Sequence, residues 1–203
     1  MAYNGETHAH EQRKGNTVGS LSKLQSDVVI GCMLGDGYMR CKNNAHLQIT
    51  HSIHQKDYVD WKYSVLNNCV LTPPKSYKGN GKRVGYRFFT ASMPCFTSIY
   101  HQFYINKKKI IPLDLELNAR IMAVWYMDDG SLCDKSCYLN TQVFPEQEQL
   151  LLGRLLFRYF GLTVSRDQDK QYYRLRFNVK ESKKFVDIIR PYIIPSMAYK
   201  ILI

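Results

Sequence analysis

The chain has 203 residues, with 28 Lys and Arg against 17 Asp and Glu, a net charge of +11 and a pI near 9.3. Its 45% hydrophobic and 13% aromatic content excludes a disordered chain and is enough for one large core or two small ones. So basic a chain points to a polyanionic partner, nucleic acid above all. A membrane partner is disfavoured because apolar runs such as Val28 to Ile30 and Leu150 to Leu152 are far too short to span a bilayer.

Residues 1–25, with Gly, Ser, Asn and mixed charge, read as a flexible arm. The polar N-terminus shows no apolar signal core, so an intracellular protein is expected; organelle, bacterial cytoplasm and archaeal cytoplasm are not distinguished. A first half is expected over 26–112. Ser26 is its predicted N-cap, with Asp27 in the first turn. Val28, Gly31, Cys32 and Gly35 then mark a helical face that ends at Asp36-Gly37. His46 to Thr50 alternates as a half-buried strand does. Ser52-x-x-Gln55 predicts a capping box, opening a helix through Tyr58, Trp61, Val65 and Leu66 that stops at Thr72-Pro73-Pro74. A basic, Gly-rich turn (Lys75, Lys78, Gly79, Gly81, Lys82, Arg83) leads to a strand over Val84 to Thr90. A helix from Pro94 to Tyr104 runs into Lys107-Lys108-Lys109-Ile110-Ile111-Pro112.

A second half, 113–203, repeats this order. Asn118 to Met127 is apolar and helical and ends at Asp128-Asp129-Gly130. Tyr138 to Gln142 alternates, Pro145 to Gly161 brackets a helix, Tyr172 to Asn178 alternates again, and a last helix is predicted over Glu181 to Arg190. The two Asp-Gly steps, at 36 and 129, lie 93 residues apart, and the strand leucines, at 47 and 139, lie 92 apart. A constant offset across two elements indicates duplication. The expected fold is α+β: two pseudo-symmetric αββαββα halves with antiparallel sheets, because the connections are too short for parallel crossovers. The six cysteines have no framework spacing and read as free thiols, and Cys133 and Cys137 lack the second pair that a zinc site needs.

In a sheet backed by helices, one face of each strand points to solvent. Here that set is His46, Gln48, Thr50, Arg87, Asn140, Gln142, Arg174 and Arg176. It contains no acid and is rich in side chains that read base edges in the major groove, where a β-ribbon fits. Arg40, Lys42, Lys78, Lys82, Arg83 and Asn178 extend the same basic, polar surface. An ordinary polar sheet face accounts for any one strand, but not for the same bias on four.

Asp36 and Asp129 each sit at the C-terminal tip of an apolar helix, where the helix dipole disfavours a carboxylate. One Asp-Gly is an ordinary turn dipeptide; two copies after equivalent helices need a reason. Packed side by side, the helices bring the acids together, and adjacent carboxylates require positive charge between them. Hard oxygen ligands favour Mg²⁺, and metals ~3.5–4 Å apart stabilise both attacking and leaving oxygens of a phosphodiester.

Val29-Ile30-Gly31-Cys32-Met33-Leu34-Gly35-Asp36-Gly37 and Met122-Ala123-Val124-Trp125-Tyr126-Met127-Asp128-Asp129-Gly130 resemble the two signature motifs of the LAGLIDADG homing endonucleases, single-chain type. The resemblance covers Ser26 to Ile203. It implies a saddle of two four-stranded sheets over a DNA duplex, with the motif helices between the halves. It implies a monomer that cuts both strands across the minor groove with divalent metal and leaves 3′ overhangs; Mn²⁺ substitutes for Mg²⁺, and Ca²⁺ binds without supporting cleavage. The metal-binding acid at the eighth motif position falls on Asp36 and Asp129, and the main-chain carbonyl at the seventh on Gly35 and Asp128. Basic residues near the active site fall on Lys109 and Lys200. Asp128 departs from the small residue usual at position seven, and Val124 from the glycine at position three, so close helix packing rests on Gly31, Gly35 and Ala123.

Two rival readings share some of these features. Tyr126-Met127-Asp128-Asp129 matches a reverse-transcriptase motif, but that motif belongs on a hairpin, and residues 118–125 read helical. A splicing maturase or a DNA-binding regulator on the same scaffold differs only in chemistry.

Overall fold

The computed structural model describes residues 19–202; residues 1–18 of the predicted arm lie outside the described residues. Helix α1 (Lys23–Leu34) starts earlier than expected. Ser22, not Ser26, is its N-cap: Gln25 N donates to Ser22 Oγ at 3.2 Å, and Ser22 N donates to Gln25 Oε1 at 3.0 Å. This reciprocal capping box satisfies two amides, and Ser26 N is then spent on Ser22 O. Asp27 is buried rather than a first-turn surface acid, held by Arg120, Asn118 and Lys23.

The first sheet is formed by β1 (Tyr38–Cys41), β2 (Ala45–Ser52), β3 (Lys75–Lys78) and β4 (Val84–Phe89), antiparallel in the order β1-β2-β4-β3. In β2 the apolar Leu47 and Ile49 are buried while His46, Gln48 and Thr50 are half-buried on the other face. Two local expectations change. Residues 75–78 of the predicted turn are strand β3, whose backbone pairs antiparallel with β4 from Lys75 opposite Arg87 to Lys78 opposite Val84. Ser52 and Gln55 form no capping box; a 3₁₀ turn (Ile53–Gln55) intervenes before α2 (Lys56–Leu66). Helix α3 (Pro94–Phe103) follows. It leads into the two-residue strands β5 (Tyr104–Ile105) and β6 (Lys108–Lys109), joined by Asn106 and Lys107 at positive φ.

The second half repeats the plan. Helix α4 (Ala119–Asp129) is capped by Asn118, whose side chain accepts from Ile121 N at 3.0 Å. Strands β7 (Gly130–Cys133), β8 (Ser136–Leu139), β9 (Ser165–Asp169) and β10 (Tyr172–Arg176) pair in the order β7-β8-β10-β9. Helix α5 (Glu146–Phe160) ends at Gly161, whose φ of 63° suits a residue without Cβ. Helix α6 (Val179–Ile189) completes the half. The α+β class, the duplication and the two antiparallel sheets are therefore as the sequence predicts.

Helices α1 and α4 pack on each other between the halves. Every residue of α4 from Ile121 to Asp128 is buried, which is why its sequence shows so little amphipathic contrast. Gly31 and Gly35 set the approach. A Cβ on Gly31 would lie 2.5 Å from Val124 Cβ and 2.9 Å from Ile121 O; one on Gly35 would lie 2.4 Å from Asp128 Cβ. Each glycine thus faces the residue at its own position in the other motif, so the bulk of Val124 and Asp128 is absorbed by the first motif alone. No helix among the described residues is long and apolar enough to cross a membrane.

Candidate active site and nucleic-acid interface

The tips of α1 and α4 bring Asp36, Asp128 and Asp129 into one electrostatic neighbourhood with Lys62, Lys109 and Lys200. Asp36 is 46% exposed at its side chain and reaches the open groove of the first sheet. Burial, with the Asp36 and Asp128 charges, pushes the Asp129 carboxyl up to about 7. Burial and Asp128 raise that of Asp36 as well.

The two lysines have matching places. Lys109, delivered by the β5–β6 hairpin, donates from Nζ to Gly35 O at 2.8 Å and Gly37 O at 2.9 Å. Lys200, on the 3₁₀ segment Pro195–Ile201, donates to Met127 O at 2.6 Å and lies 3.3 Å from Asp128 O. Each ammonium therefore covers the carbonyl end of one motif helix, the favourable pole for a cation. Burial lowers both lysine pKa values, while the three carboxylates oppose the shift.

Asp128 behaves differently from its neighbour. Its side chain is fully buried, and Oδ1 accepts from Tyr58 Oη at 2.7 Å and Lys62 Nζ at 2.5 Å. Lys62 is itself at 0% exposure. Burial works against its charge, but Asp128 leads the groups that carry its pKa above the usual lysine value. The sequence reading missed Tyr58, Lys62 and His51 here. The available signal was Lys62, a lysine four residues after Tyr58 on the apolar side of α2.

A divalent cation fits this donor set. Among the described residues no three His, Cys, Asp or Glu side chains cluster for metal. Two carboxylates are enough for a hard cation whose remaining ligands are water and substrate phosphate. Asp36 and Asp129 both have raised pKa values, from burial and from neighbouring acids, which a bound cation would offset. The carbonyls of Gly35 and Asp128 each keep a lone pair beyond the lysine bond.

The Asp129 shift has a consequence for stability without divalent cations. The folded chain holds that proton up to about pH 7, whereas the free carboxyl releases it at 3.8, so stability falls as pH rises through this window. Asp129→Asn is expected to raise the Tm at pH 8 by a few degrees, at roughly 2–4 °C per kcal/mol for a chain of this size. The gain should vanish below pH 4. Calorimetry in EDTA at both pH values checks this; an equal Tm difference at pH 4 and pH 8 contradicts it.

On the first sheet the predicted residues share a face: Arg40 pairs with His46, Thr50 with Arg87, and Gln48 with Phe89. Lys78 is on the edge strand, Lys82 and Arg83 lie in the β3–β4 turn, and Lys42 lies in the β1–β2 turn, all exposed. Aromatic rings that the sequence reading omitted interleave with them. Tyr38 and Phe89 are exposed, and the Arg87 guanidinium lies 4.1 Å from the Tyr77 ring centroid.

The second sheet departs from expectation in three ways. Strand β8 ends at Leu139, so Asn140 and Gln142 lie in the following loop, where Gln142 donates to Asp169 Oδ2 at 2.9 Å. Asn178 is the N-cap of α6, accepting from Glu181 N at 3.0 Å, and is off the strand face. The face is not free of acid either: Asp167 on β9 stands opposite Arg174, with 3.6 Å between their charged groups. Arg174 and Arg176 keep their predicted face, with Arg174 stacked 4.0 Å over the Tyr138 ring.

Residues 26–185 match the model of the LAGLIDADG DNA endonuclease family, and the chain belongs to that family. It is 34% identical over 199 residues to a probable intron-encoded endonuclease 1 of Wickerhamomyces canadensis, covering 90% of this chain and 86% of that one. The homing endonuclease I-WcaI, solved bound to its DNA recognition sequence, superposes with a TM-score of 0.87 at 29% identity, covering 100% of this chain and 96% of that one. The cytochrome b mRNA maturase bI2 of Saccharomyces cerevisiae is 29% identical over 209 residues; the match covers 92% of this chain but only 49% of the maturase.

Proposed function

We propose that this chain is a site-specific, divalent-metal-dependent DNA endonuclease that acts as a monomer on a long asymmetric duplex. It cuts both strands across the minor groove and leaves 3′ overhangs. The observation that carries this reading is the pairing of Asp36 and Asp129 at adjacent helix tips, between two sheets with basic side chains on their open faces. The DNA-bound state of I-WcaI supports the choice of substrate. Asp36 and Asp129, with the carbonyls of Gly35 and Asp128, would hold the metal, which when bound would supply Lewis-acid stabilisation of the phosphate and activation of the attacking water. Mg²⁺ is the expected ion, with Mn²⁺ an active substitute and Ca²⁺ bound but inactive. Lys109 and Lys200 keep the two motif carbonyls in place and add positive charge near the scissile phosphates.

Arg40, Lys42, His46, Gln48, Thr50, Arg87, Arg174 and Arg176 contact the duplex. Lys78, Lys82, Arg83, Asn140 and Gln142 contact it at the sheet margins. Ala substitutions of Arg174 and Arg176 are each expected to weaken binding by ~1–3 kcal/mol. The larger loss is expected at Arg176, because Arg174 spends part of its charge on Asp167. Fluorescence anisotropy at fixed salt tests this, with a duplex recovered from a randomised library by wild-type cleavage. Unchanged affinity and unchanged sequence preference would contradict the readout face.

The maturase relative favours a second reading, assistance to RNA splicing on the same scaffold. Splicing support that survives Asp36→Asn and Asp129→Asn would separate it from cleavage.

A further inference from the structure

Asp128 belongs to the second half, but both side chains that donate to its carboxylate, Tyr58 and Lys62 on α2, belong to the first, as does His51 on β2, which lies alongside with Nε2 3.7 Å away. Lys62 Nζ also lies 2.9 Å from His51 Nε2. An ammonium only donates, so Nε2 is the acceptor and the imidazole hydrogen sits on Nδ1. Tyr58 packs beside the ring at 5.2 Å between centroids. His51 Nδ1 lies 3.6 Å from Asp36 Oδ2. A chain of contacts therefore runs from position seven of the second motif, through Lys62 and His51, to position eight of the first.

The chain of contacts is one-sided. The duplication offsets carry Tyr58 and Lys62 onto Leu151 and Leu155, His51 onto Val143, and Asp128 back onto Gly35. Those positions carry no ammonium, imidazole or carboxylate, and among the described residues no side chain of the second half makes a matching contact with Asp129. Carboxylates that hold metal are commonly oriented by hydrogen bonds behind them, and removing that support typically costs 10–100-fold.

We propose that His51, anchored by the buried Lys62–Asp128 pair, is a positioning residue for Asp36 alone, so that only one of the two strand scissions depends on it. This rests on the endonuclease reading. The test uses the full chain and a cleavage-selected duplex with a different fluorophore on each strand. His51→Leu is expected to slow scission of one strand at least ~10-fold and leave the other within about twofold, so that a nick accumulates on the same strand in every molecule. Affinity for the duplex in EDTA should be unchanged. His51→Gln, which keeps an N–H donor, should recover part of the lost rate and serves if the Leu variant does not fold. Thermal unfolding gives an arm independent of activity. Lys62→Met should lower the Tm by leaving the Asp128 charge buried and unpaired, and Lys62→Met with Asp128→Asn should restore most of it. Equal slowing of both strands, or of neither, overturns the proposal, as does a double variant no more stable than Lys62→Met. A wild-type chain that binds duplex but cuts neither strand overturns the endonuclease reading itself, a result distinguishable from equal slowing.

Discussion

Asp36→Asn and Asp129→Asn are each expected to abolish double-strand cleavage while leaving duplex binding intact. Each substitution removes one of the two acidic side chains available to hold metal at the helix tips, and the neutral amide keeps the shape. Each factor of ten in rate corresponds to ~1.4 kcal/mol of barrier, and metal stabilisation of a phosphoryl transition state supplies several kcal/mol, so a loss on the order of 10³-fold or more follows. The binding faces lie on the sheets, away from the substituted atoms, so affinity measured in EDTA should hold. The two variants should also be more stable than the parent when divalent cations are absent, because burial and neighbouring acids disfavour both carboxylates as charged groups. Loss of function with a gain of stability is the mark of a strained functional site rather than of a structural residue. Cleavage of both strands at parental rates by both variants would show that the acids have another role.

Gly31→Val is expected to destabilise the interface between the two motif helices. The first added carbon would meet Val124 Cβ at 2.5 Å and the carbonyl of Ile121 at 2.9 Å. The second of these is backbone, inside a helix packed on all sides, so it cannot move aside as a flexible side chain would. Overpacking of this kind costs about 1–3 kcal/mol, occasionally more. A helix interior gains up to ~1 kcal/mol when glycine is replaced by a better helix former, less for a β-branched residue, so the clash dominates. The Tm should therefore fall by several degrees, and α1 should separate from α4 far enough to misplace Asp36 against Asp129. Calorimetry and cleavage on one preparation check both effects. An unchanged Tm would mean that the two helices do not approach as closely as described.

The features legible in the sequence were those set by repetition and by period. The alternation of His46 to Thr50 survives because β2 packs one face on the core of its half and leaves the other open. The constant offset between halves identified the duplication and hence the paired Asp-Gly steps. What was not legible depended on contacts distant in the chain. Ser26 and Ser22 are equally good caps locally; Gln25 decides for Ser22 and also donates from Nε2 to Val65 O and Asn68 Oδ1, ties no window around residue 22 contains. Asn178 follows an alternating strand and reads as its continuation, yet its amide is used to start α6. The acids of β9 were overlooked because Ser165–Asp169 has no apolar alternation; it is an edge strand with little to bury. Lys62 is the largest omission. A lysine on the apolar side of a helix reads as a side chain that reaches out to water, and only the fold reveals Asp128 facing it from the other half.

The central claim is that the paired carboxylates form a metal-dependent centre for cutting DNA. The most direct measurement incubates the wild-type chain with a randomised duplex library, with Mg²⁺ or with EDTA, and sequences both ends of every product. The account predicts one recurrent asymmetric site, both strands cut a few nucleotides apart with 3′ overhangs, and no product in EDTA. Bound but intact DNA in Mg²⁺, or the same ends appearing in EDTA, would contradict it.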